Sequence, residues 1–390
     1  MTAVDITAWV SLALLFWVYV GYPVFLWLHG NIRFVKKRST PGYTPSVSLI
    51  IPTYNESIVI RKKIENVRSL VYPKRFLEVF IADSGSTDGT SAIVSTFAPD
   101  FRLITSSERG GKAKAINDIL PLTKGEVIVV TDANSFMDAD ALQKVIDHFV
   151  DNRVGACTGA MRQIDRSKTA VSEGGGWYWK METFMRKRES QLHSVIAMSG
   201  EMSAFRRSLF VNEKNVVLAW YKPGGTDDFE MTLFVIQKKY HVAYAPDAYV
   251  WEFAPDTLKD LYSQKVRIIV QTIVSVQRNV RVLWTTGWYG AMIFLSRKIL
   301  PLFSPWALIV LYGSSFLLAL YSKWWLAFFL VQTAGYLLAL ASRGLISNNG
   351  LAKLAFFFCL LNGTVFIAWI QFWEKRDYTR WQPIESSRRL

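Results

Sequence analysis

The stretch EVIVVTDANSFMDAD, residues 126–140, begins with a nearly all-apolar run and then turns acidic. Such a short apolar run, bounded by polar residues, is typical of a strand that is buried on both faces of a sheet. Two overlapping candidates for a metal–diphosphate motif follow the run. Asp132-Ala133-Asn134 comes directly after it and has an amide in place of a second carboxylate, whereas Asp138-Ala139-Asp140 is a complete D-x-D. The rest of the sheet decides which of them can lie beside a ligand.

The same pattern of short apolar runs bounded by polar residues recurs through the middle of the chain. Segments that suit helices, such as residues 57–72, lie among further short apolar runs. These runs are VSLIIPT (47–53), LEVFIAD (77–83), RLITS (102–106) and VGACTGAM (154–161). Alternation of nearly all-apolar strands with helices predicts an α/β domain with a mostly parallel sheet covered on both faces. About 200 residues are ample for one such domain.

Polar residues follow each of the first four predicted strands. In open α/β sheets, ligands bind beyond the carboxyl ends of the strands. The segments at those ends are TYNE (53–56), DSGSTDGT (83–90), RGGKAK (109–114) and DAN (132–134). Any one of them is ordinary turn or helix-cap sequence. Four of them in chain order, however, place acids and a lysine at one edge of the sheet. The sequence therefore predicts a nucleotide–metal site at this edge.

The complete D-x-D is the weaker metal candidate. Asp138 and Asp140 open the segment DADALQKVIDHFV, which suits a helix, and acids in a first helical turn interact favourably with the helix dipole. We therefore assign them a capping role. Asp132 and Asn134 come directly off a strand and are expected at the ligand edge. Because Mg²⁺ usually takes one or two carboxylates together with substrate phosphates, Asp132 would dominate that site.

Six motifs resemble, in order and spacing, those of the inverting family 2 glycosyltransferases with the GT-A fold, a Rossmann-like fold. The motifs are IIPTYNE (50–56), IADSGSTDGT (81–90), GGKAKAIN (110–117), VVTDAN (129–134), SGEMSAFRRSLF (199–210) and GGTDDFEMTLFV (224–235). The chain looks most similar to the membrane-integrated subgroup, which includes cellulose, hyaluronan and chitin-oligosaccharide synthases. The resemblance covers about residues 46–270. It implies transfer of a sugar from a nucleotide-diphosphate donor, a UDP-sugar, to a glycan acceptor.

The resemblance also implies roles for particular residues. Those implied to bind the donor nucleotide are Thr53, Tyr54, Glu56, Asp83, Lys112 and Asp132. Asp88 would close the turn beside them, and Lys112 would face the diphosphate. Asp132 and Asn134 stand where the family holds a divalent cation, Mg²⁺ or Mn²⁺.

Asp227 and Asp228 stand where the family has a pair of acids, of which the second is the catalytic base. An acceptor hydroxyl must lose its proton as it attacks, and a positioned carboxylate can take it. Direct displacement would invert the anomeric configuration and give a β-linkage from an α-linked donor. The alternative is an N-cap pair for the helix-like run that follows, and the two roles are compatible.

Residues 264–268 resemble the Gln-x-x-Arg-Trp motif that contacts acceptor and donor diphosphate in the polymerising members of the family. Gln264 and Arg267 match, but Ile268 replaces the tryptophan. Two outcomes therefore stay open: synthesis and export of an extracellular polysaccharide, and transfer of a single sugar to a lipid-linked acceptor. The alternative, in which these residues bind neither acceptor nor diphosphate, is an amphipathic helix on the membrane surface, because apolar residues recur here at helical spacing.

Long apolar segments flank this domain in a chain that is 51% hydrophobic with a mean hydropathy of +0.17. Residues 7–28 carry no charge, and about 20 apolar residues suffice to cross a bilayer. Further apolar stretches lie at 299–320, 324–341 and 354–373. The predicted organisation is an anchor with a basic flank (1–38), a GT-A domain (39–255), interfacial helices (256–298), about three spans (299–373) and a tail (374–390).

Basic residues predict the orientation. The segment NIRFVKKR (31–38) follows the first span, so the catalytic domain should be cytoplasmic at the plasma (inner) membrane. Three complete spans after it would place the tail outside, although residues 374–390 are also basic. The net charge of +14 gathers near apolar segments, which favours anionic lipid headgroups over nucleic acid. The two cysteines, Cys157 and Cys359, indicate no disulfide framework.

Other classes of protein fit less well. A transporter would carry ionisable residues within its spans, and these are almost free of charge. An NAD-dependent enzyme would carry G-x-G-x-x-G after its first strand, which this chain lacks. A catalytically inactive sugar-nucleotide-binding module stays open, and Asn134 is the best argument for it. Because four spans are few for a polymer channel, a homo-oligomer or an accessory export subunit is an expected partner.

Overall fold

The computed structural model describes residues 2–32, 39–106, 109–164, 170–218, 221–222, 224–254, 257–342, 349–376 and 388. Within these ranges, eight strands form one sheet. The strands are β1 Val47–Thr53, β2 Leu77–Asp83, β3 Phe101–Thr105, β4 Val127–Val130, β5 Phe136–Met137, β6 Val154–Ile164, β7 Ser203–Arg206 and β8 His241–Phe253. Their spatial order is β3-β2-β1-β4-β7-β6-β8-β5.

The first four strands form the parallel half of the sheet. β1 pairs in parallel with β2 and with β4, and β2 pairs in parallel with β3. Every residue of β1 and β4 is buried, as expected for strands covered on both faces. The predictions for β1 and β2 coincide with the observed bounds, and those for β3, β4 and β6 differ by up to three residues at their ends.

The second half of the sheet adds antiparallel pairs to the mostly parallel sheet that the sequence predicts. β7 is antiparallel to both β4 and β6, β6 is parallel to β8, and β5 is antiparallel to β8. The sheet is therefore mixed beyond β4. The sequence does not predict β5, β7 or β8, because β5 and β7 have only two and four residues and Pro246 and Asp247 interrupt the apolar run of β8.

Helices cover both faces of the sheet, and the described ranges contain fourteen of them. They are α1 Ala3–Phe16, α2 Tyr22–Ile32, α3 Ile60–Arg68, α4 Thr90–Ser95, α5 Gly111–Ile119, α6 Ala141–Ile146, α7 Ala170–Leu192, α8 Asp227–Gln237, α9 Leu258–Arg278, α10 Val282–Thr285, α11 Gly287–Phe294, α12 Leu300–Ala319, α13 Lys323–Ala341 and α14 Gly350–Trp373. Successive β1 residues point to opposite faces, so Ile50 packs in one core and Leu49 and Ile51 in the other.

Four helical stretches of the described chain are long and apolar enough to cross a membrane: Ala3–His29, Gly287–Ala319, Lys323–Ala341 and Gly350–Trp373. Short π-helical turns, Trp17–Gly21 and Leu295–Ile299, join α1 to α2 and α11 to α12. The second stretch begins twelve residues before the predicted span at 299, because it includes α11, whose Ile293 and Phe294 pack in the core of the domain.

A buried charged cluster joins the apolar helices to the catalytic domain. Arg297 lies 2.7 Å from Glu182 and 2.7 Å from Glu189, both on α7. The hydroxyl of Tyr22 on α2 donates to Glu189 at 2.7 Å. Three helices from distant parts of the sequence are thus fixed to one another at the base of α12.

The end of α14 returns to the catalytic domain. Ala368 packs against Val266 and Val270 of α9, and the indole of Trp369 donates to the carbonyl of Leu302 at 2.8 Å. Beyond the helix, the guanidinium of Arg388 pairs with Glu56 at 2.5 and 2.6 Å. Arg388 therefore lies beside the domain, and this contact predicts that it is on the domain's side of the membrane, whereas three complete spans would place it on the opposite side.

Candidate active site

A cleft lies beyond the carboxyl ends of β1 and β4, where the sheet changes from parallel to antiparallel pairing. The N-terminal turns of α5 and α8, one face of α9 and the end of β8 form its other walls. Nine residues predicted from the sequence line this one cleft: Thr53, Tyr54, Lys112, Asp132, Asn134, Asp227, Asp228, Gln264 and Arg267. Residues separated by more than 200 positions therefore share one site.

Three charged groups converge beside Gly200. A Cβ atom added to Gly200 would lie 3.8 Å from each of Asp132 Oδ2, Asp228 Oδ2 and Lys112 Nζ. Lys112 also forms an ion pair with Asp132, with 2.6 Å between Nζ and Oδ1. Because Gly200 has no side chain, the space between the Lys112 ammonium and the two carboxylates is open. A small anionic ligand and the group that attacks it would need this space.

The predicted residues Glu56 and Asp83 lie behind the cleft wall. The carboxylate of Asp83 is fully buried and accepts from Thr53 Oγ1 at 3.2 Å, from the backbone N–H of Ser86 at 3.1 Å and from Ser91 Oγ at 2.9 Å. Glu56 is buried against Arg388. Both shape the turns that present Thr53 and Tyr54 to the cleft.

Asp88 closes the turn after β2, as the resemblance implies. Its carboxylate accepts from the backbone N–H of Ser57 at 2.9 Å and of Thr90 at 3.0 Å. These bonds tie the turn to the segment that follows β1.

The complete D-x-D lies outside the cleft lining, but the capping role predicted for its side chains is wrong. Asp140 occupies the N-cap position of α6 and makes no side-chain cap bond. It pairs instead with Lys144 one turn later, at 2.8 Å. Asp138 accepts from the indole of Trp251 at 2.6 Å.

The turn that carries Asp132 and Asn134 rests on a buried lysine that the sequence analysis did not single out. Lys63 on α3 is fully buried, and its Nζ donates to Thr131 Oγ1 at 2.9 Å and to the carbonyl of Ser135. Burial lowers the pKa of Lys63 to about 7. A lysine on the buried face of α3, spaced three and four residues from Ile60 and Val67, was the available signal.

Asn134 has a carboxylate partner from another strand. Its Nδ2 donates to Oε1 of Glu252, on β8, at 2.7 Å. Burial, together with the charges of Glu201 and Asp132, raises the pKa of Glu252 to about 8. Glu252, Glu201 and Arg388 line the cleft without having been predicted as site residues.

Asp227 and Asp228 form the first turn of α8. Gly224 precedes them with φ of +84°, a conformation that glycine adopts without strain. The N-cap is Thr226, whose backbone N–H donates to Ser275 Oγ at 2.9 Å. The alternative in which the acid pair is the N-cap is therefore wrong, because both acids follow the cap.

The cleft is an environment that retains protons on carboxylates. Burial raises the pKa of Asp227 to about 7, against the opposing effect of Lys112. Burial also raises the pKa of Asp228, opposed by Lys112 and Lys298. For Lys112, burial alone would lower the pKa, but Asp132, Asp227 and Asp228 outweigh it and the pKa is raised. Lys112 is therefore a permanent cation that faces two carboxyl groups with raised pKa values, Asp227 and Asp228.

The helix α9 lies between the cleft and α14. Gln264, Arg267 and Ile268 line the cleft, while Val266 and Val270 pack against Ala368. This helix confirms the amphipathic pattern of the sequence. Ile268 lies where the resemblance would place an aromatic acceptor platform.

The oxygen atoms of Asp132 and Asn134 fit a divalent cation whose remaining ligands come from substrate phosphates. Asp132 offers a carboxylate and Asn134 an amide oxygen, which are oxygen ligands of the kind that Mg²⁺ takes along with phosphates and water. Within the described part of the chain, no group of three or more His, Cys, Asp or Glu side chains is arranged as a metal site. A cation there would depend on the diphosphate for its remaining ligands.

Comparisons with known proteins agree with this geometry. Residues 48–212 match the family described as Glycosyl transferase family 2. The chain is 29% identical over 286 residues to a probable glycosyltransferase YdaM of Bacillus subtilis, covering 66% of this chain and 64% of that protein. It is 27% identical over 263 residues to a poly-beta-1,6-N-acetyl-D-glucosamine synthase of Staphylococcus epidermidis, covering 63% and 62%. The chain thus spans less than two thirds of the length of either relative.

Among solved structures, the mannosyltransferase PcManGT from Pyrobaculum calidifontis, in complex with GDP-Man and Mn²⁺, superposes with a TM-score of 0.73. The two are 24% identical, and the match covers 95% of this chain and all of that one. The fold is the GT-A fold, flanked by four candidate transmembrane helices. Over residues 48–212 the chain is similar to glycosyl transferase family 2.

Proposed function

We propose that the chain transfers a sugar from a nucleotide-diphosphate donor, a UDP-sugar, to a glycan acceptor with inversion, in the synthesis of an extracellular polysaccharide. One observation carries the proposal: Lys112, Asp132 and Asp228 converge within 3.8 Å of one point in a single cleft. The poly-beta-1,6-N-acetyl-D-glucosamine synthase among the relatives supports a polysaccharide product. The reaction would take place at the cytoplasmic face of the plasma (inner) membrane, because four apolar helices flank the domain and basic residues follow the first.

The residues on the leaving-group side of the cleft would bind a diphosphate. Asp132 and Asn134 would hold a Mg²⁺ or Mn²⁺ ion, which neutralises charge on the departing nucleotide diphosphate. Lys112, held by Asp132 at 2.6 Å, adds a cation that stays protonated. Thr53 and Tyr54 would contact the nucleotide at the end of β1, with Asp83 and Glu56 supporting them from behind.

Asp228 is the proposed general base on the other side of the sugar. It removes the proton of the acceptor hydroxyl as the oxygen attacks the anomeric carbon and the C–O bond to the diphosphate breaks. A base works best when its pKa lies near the working pH, and burial raises the pKa of Asp228 in that direction. Burial also raises the pKa of Asp227, which lies beside it in the same turn. Gln264 and Arg267 would hold the acceptor and the diphosphate from α9.

A second acceptor class has one observation in its favour. Ile268 lines the cleft where polymerising members of the family have tryptophan. A branched aliphatic side chain offers no flat face for a sugar ring to stack on. Transfer of one sugar to a lipid-linked acceptor is therefore the second candidate, and product length distinguishes the two.

The decisive experiment incubates membranes containing the full chain with labelled UDP- and GDP-sugars and Mg²⁺ or Mn²⁺. We expect incorporation from a UDP-sugar and a loss of about 100-fold or more in Asp228→Asn. UDP binding should persist in that variant, because the base does not hold the nucleotide. The matched control is Asp100→Asn, whose side chain is 65% exposed and pairs with Arg68.

Incorporation by Asp228→Asn at the wild-type rate would remove Asp228 from the mechanism. Wild-type UDP binding without incorporation from any donor would favour the inactive binding module. Incorporation from a GDP-sugar alone would overturn the donor assignment and leave the reaction class standing.

A further inference from the structure

The Asn134–Glu252 contact follows from strand pairing. β5 pairs with β8 so that Phe136 lies opposite Trp251 and Met137 opposite Val250. Continuing this register by one residue places Glu252 opposite Ser135, next to Asn134 in the turn after β4. The two residues are 118 positions apart in the chain, and their side chains meet at 2.7 Å. The sheet itself thus places a carboxylate beside the amide that stands in the second position of the D-x-D motif.

The chemistry of this contact fixes the orientation of the amide. In the structure Nδ2 of Asn134 donates to Oε1 of Glu252, so Oδ1 is turned away from Glu252. Asn134 is 6% exposed, and both residues line the cleft together with Asp132. Glu252 therefore selects the amide rotamer that leaves an oxygen for the cation.

When Glu252 is ionised, the form that a neighbouring divalent cation favours, the same contact also supplies charge. A carboxylate that is hydrogen-bonded to a metal-binding group orients that group and raises its basicity. Asn134 alone offers a neutral oxygen, but an amide whose N–H bonds to an anion carries more negative charge on its oxygen. The pair then resembles a D-x-D whose second negative charge lies one hydrogen bond further from the cation.

We propose that Glu252 is a positioning residue for the cation–diphosphate end of the site and acts through Asn134. The inference rests on the proposed function, in which Asp132 and Asn134 hold a divalent cation. It predicts that the charge can be exchanged between the two positions. In Asn134→Asp/Glu252→Gln, the carboxylate stands at residue 134 and the amide at residue 252, with the hydrogen bond reversed.

The test measures Mn²⁺ binding by electron paramagnetic resonance on the purified full chain in detergent with saturating UDP. We expect Glu252→Gln alone to weaken Mn²⁺ binding about tenfold or more. The exchanged double variant should return to within about threefold of wild type, so the two substitutions are strongly non-additive. Glu126→Gln is the matched control, because Glu126 is exposed and pairs with Arg206 away from the cleft.

Three results would overturn the inference. Glu252→Gln with wild-type Mn²⁺ affinity would remove Glu252 from the cation end. A double variant as weak as Glu252→Gln, at an unchanged melting temperature, would mean that Glu252 does not act through Asn134. If Glu252→Gln does not fold, Glu252→Asp withdraws the carboxylate from Asn134 and should also weaken Mn²⁺ binding; wild-type affinity there would overturn the proposal.

The wild-type protein separates the two levels of the argument. A wild-type chain that binds UDP but no Mn²⁺ would remove the cation from the proposed function and this inference with it. A wild-type chain that binds both, with variants that behave additively, would overturn the role of Glu252 and leave the proposed function intact.

Discussion

Burial and neighbouring charges set the pKa values of single residues in the cleft. Asp227 and Asp228 lie side by side, with Lys112 as the nearby cation in the same cleft. Two interacting acids of this kind titrate as a pair, and the apparent pKa values belong to the pair. The pH dependence of the reaction therefore reports on the site as a whole.

The acid limb of the pH–rate profile tests the proposed base. Burial raises the pKa of Asp227 to about 7 and raises that of Asp228. Because the base must be deprotonated, we expect kcat/KM to fall about tenfold per pH unit below the apparent pKa of the pair. This limb should lie well above about pH 4, the region where an ordinary aspartate titrates. Sugar incorporation between about pH 5 and 9 measures it, and a flat profile down to pH 5 would contradict it.

The turn after β4 shows how one element positions another. Its carbonyl at Ser135 and its hydroxyl at Thr131 both accept from Lys63 of α3. Two of the residues that would meet the diphosphate, Asp132 and Asn134, therefore depend on a helix that does not line the cleft.

Replacing Lys63 by methionine keeps the length of the side chain but removes both hydrogen bonds. We expect Lys63→Met to lose about 1–3 kcal/mol of unfolding free energy, because a buried carbonyl is left without its donor. UDP-dependent Mn²⁺ binding should weaken as well. Lys62→Met is the control, since Lys62 is the exposed neighbour on the same helix. A variant that loses stability yet binds Mn²⁺ as the wild type does would limit Lys63 to a structural role.

The sequence predicted those elements whose burial is local. β1 and β2 are apolar runs buried along most of their length, so composition reveals them. The polar residues at the strand ends revealed five lining residues of the cleft, and the family resemblance added four: Asp227, Asp228, Gln264 and Arg267. Lys63 and Glu252 escaped prediction for a different reason. Their roles depend on which strands and helices meet in space, and no local pattern encodes that β8 pairs with β5.

At the scale of the whole molecule, the tail constrains how the apolar helices cross a bilayer. α12 leaves the domain near Leu300 and ends at Ala319, and near the end of α14 Trp369 bonds back to Leu302. These contacts predict that α13 and α14 together make one net crossing of the membrane. The pairing of Arg388 with Glu56 predicts the same arrangement.

Cysteine labelling in sealed inverted vesicles tests this topology. In a background with Cys157 and Cys359 replaced by serine, an impermeant maleimide should label Ser95→Cys in the domain and Arg376→Cys after α14 from the same side. Lys323→Cys, between α12 and α13, should be protected until detergent is added. Labelling of Arg376→Cys only after detergent would contradict the observed return of the tail.

The Arg388–Glu56 pair has a consequence for biogenesis. Arg388 is 3% exposed and lines the cleft, yet it is translated after every apolar helix of the described chain. The cleft is therefore complete only once α13 and α14 have been inserted. Chains stalled during membrane insertion, or soluble fragments cut out for crystallisation, would keep Asp227 and Asp228 but not a complete cleft.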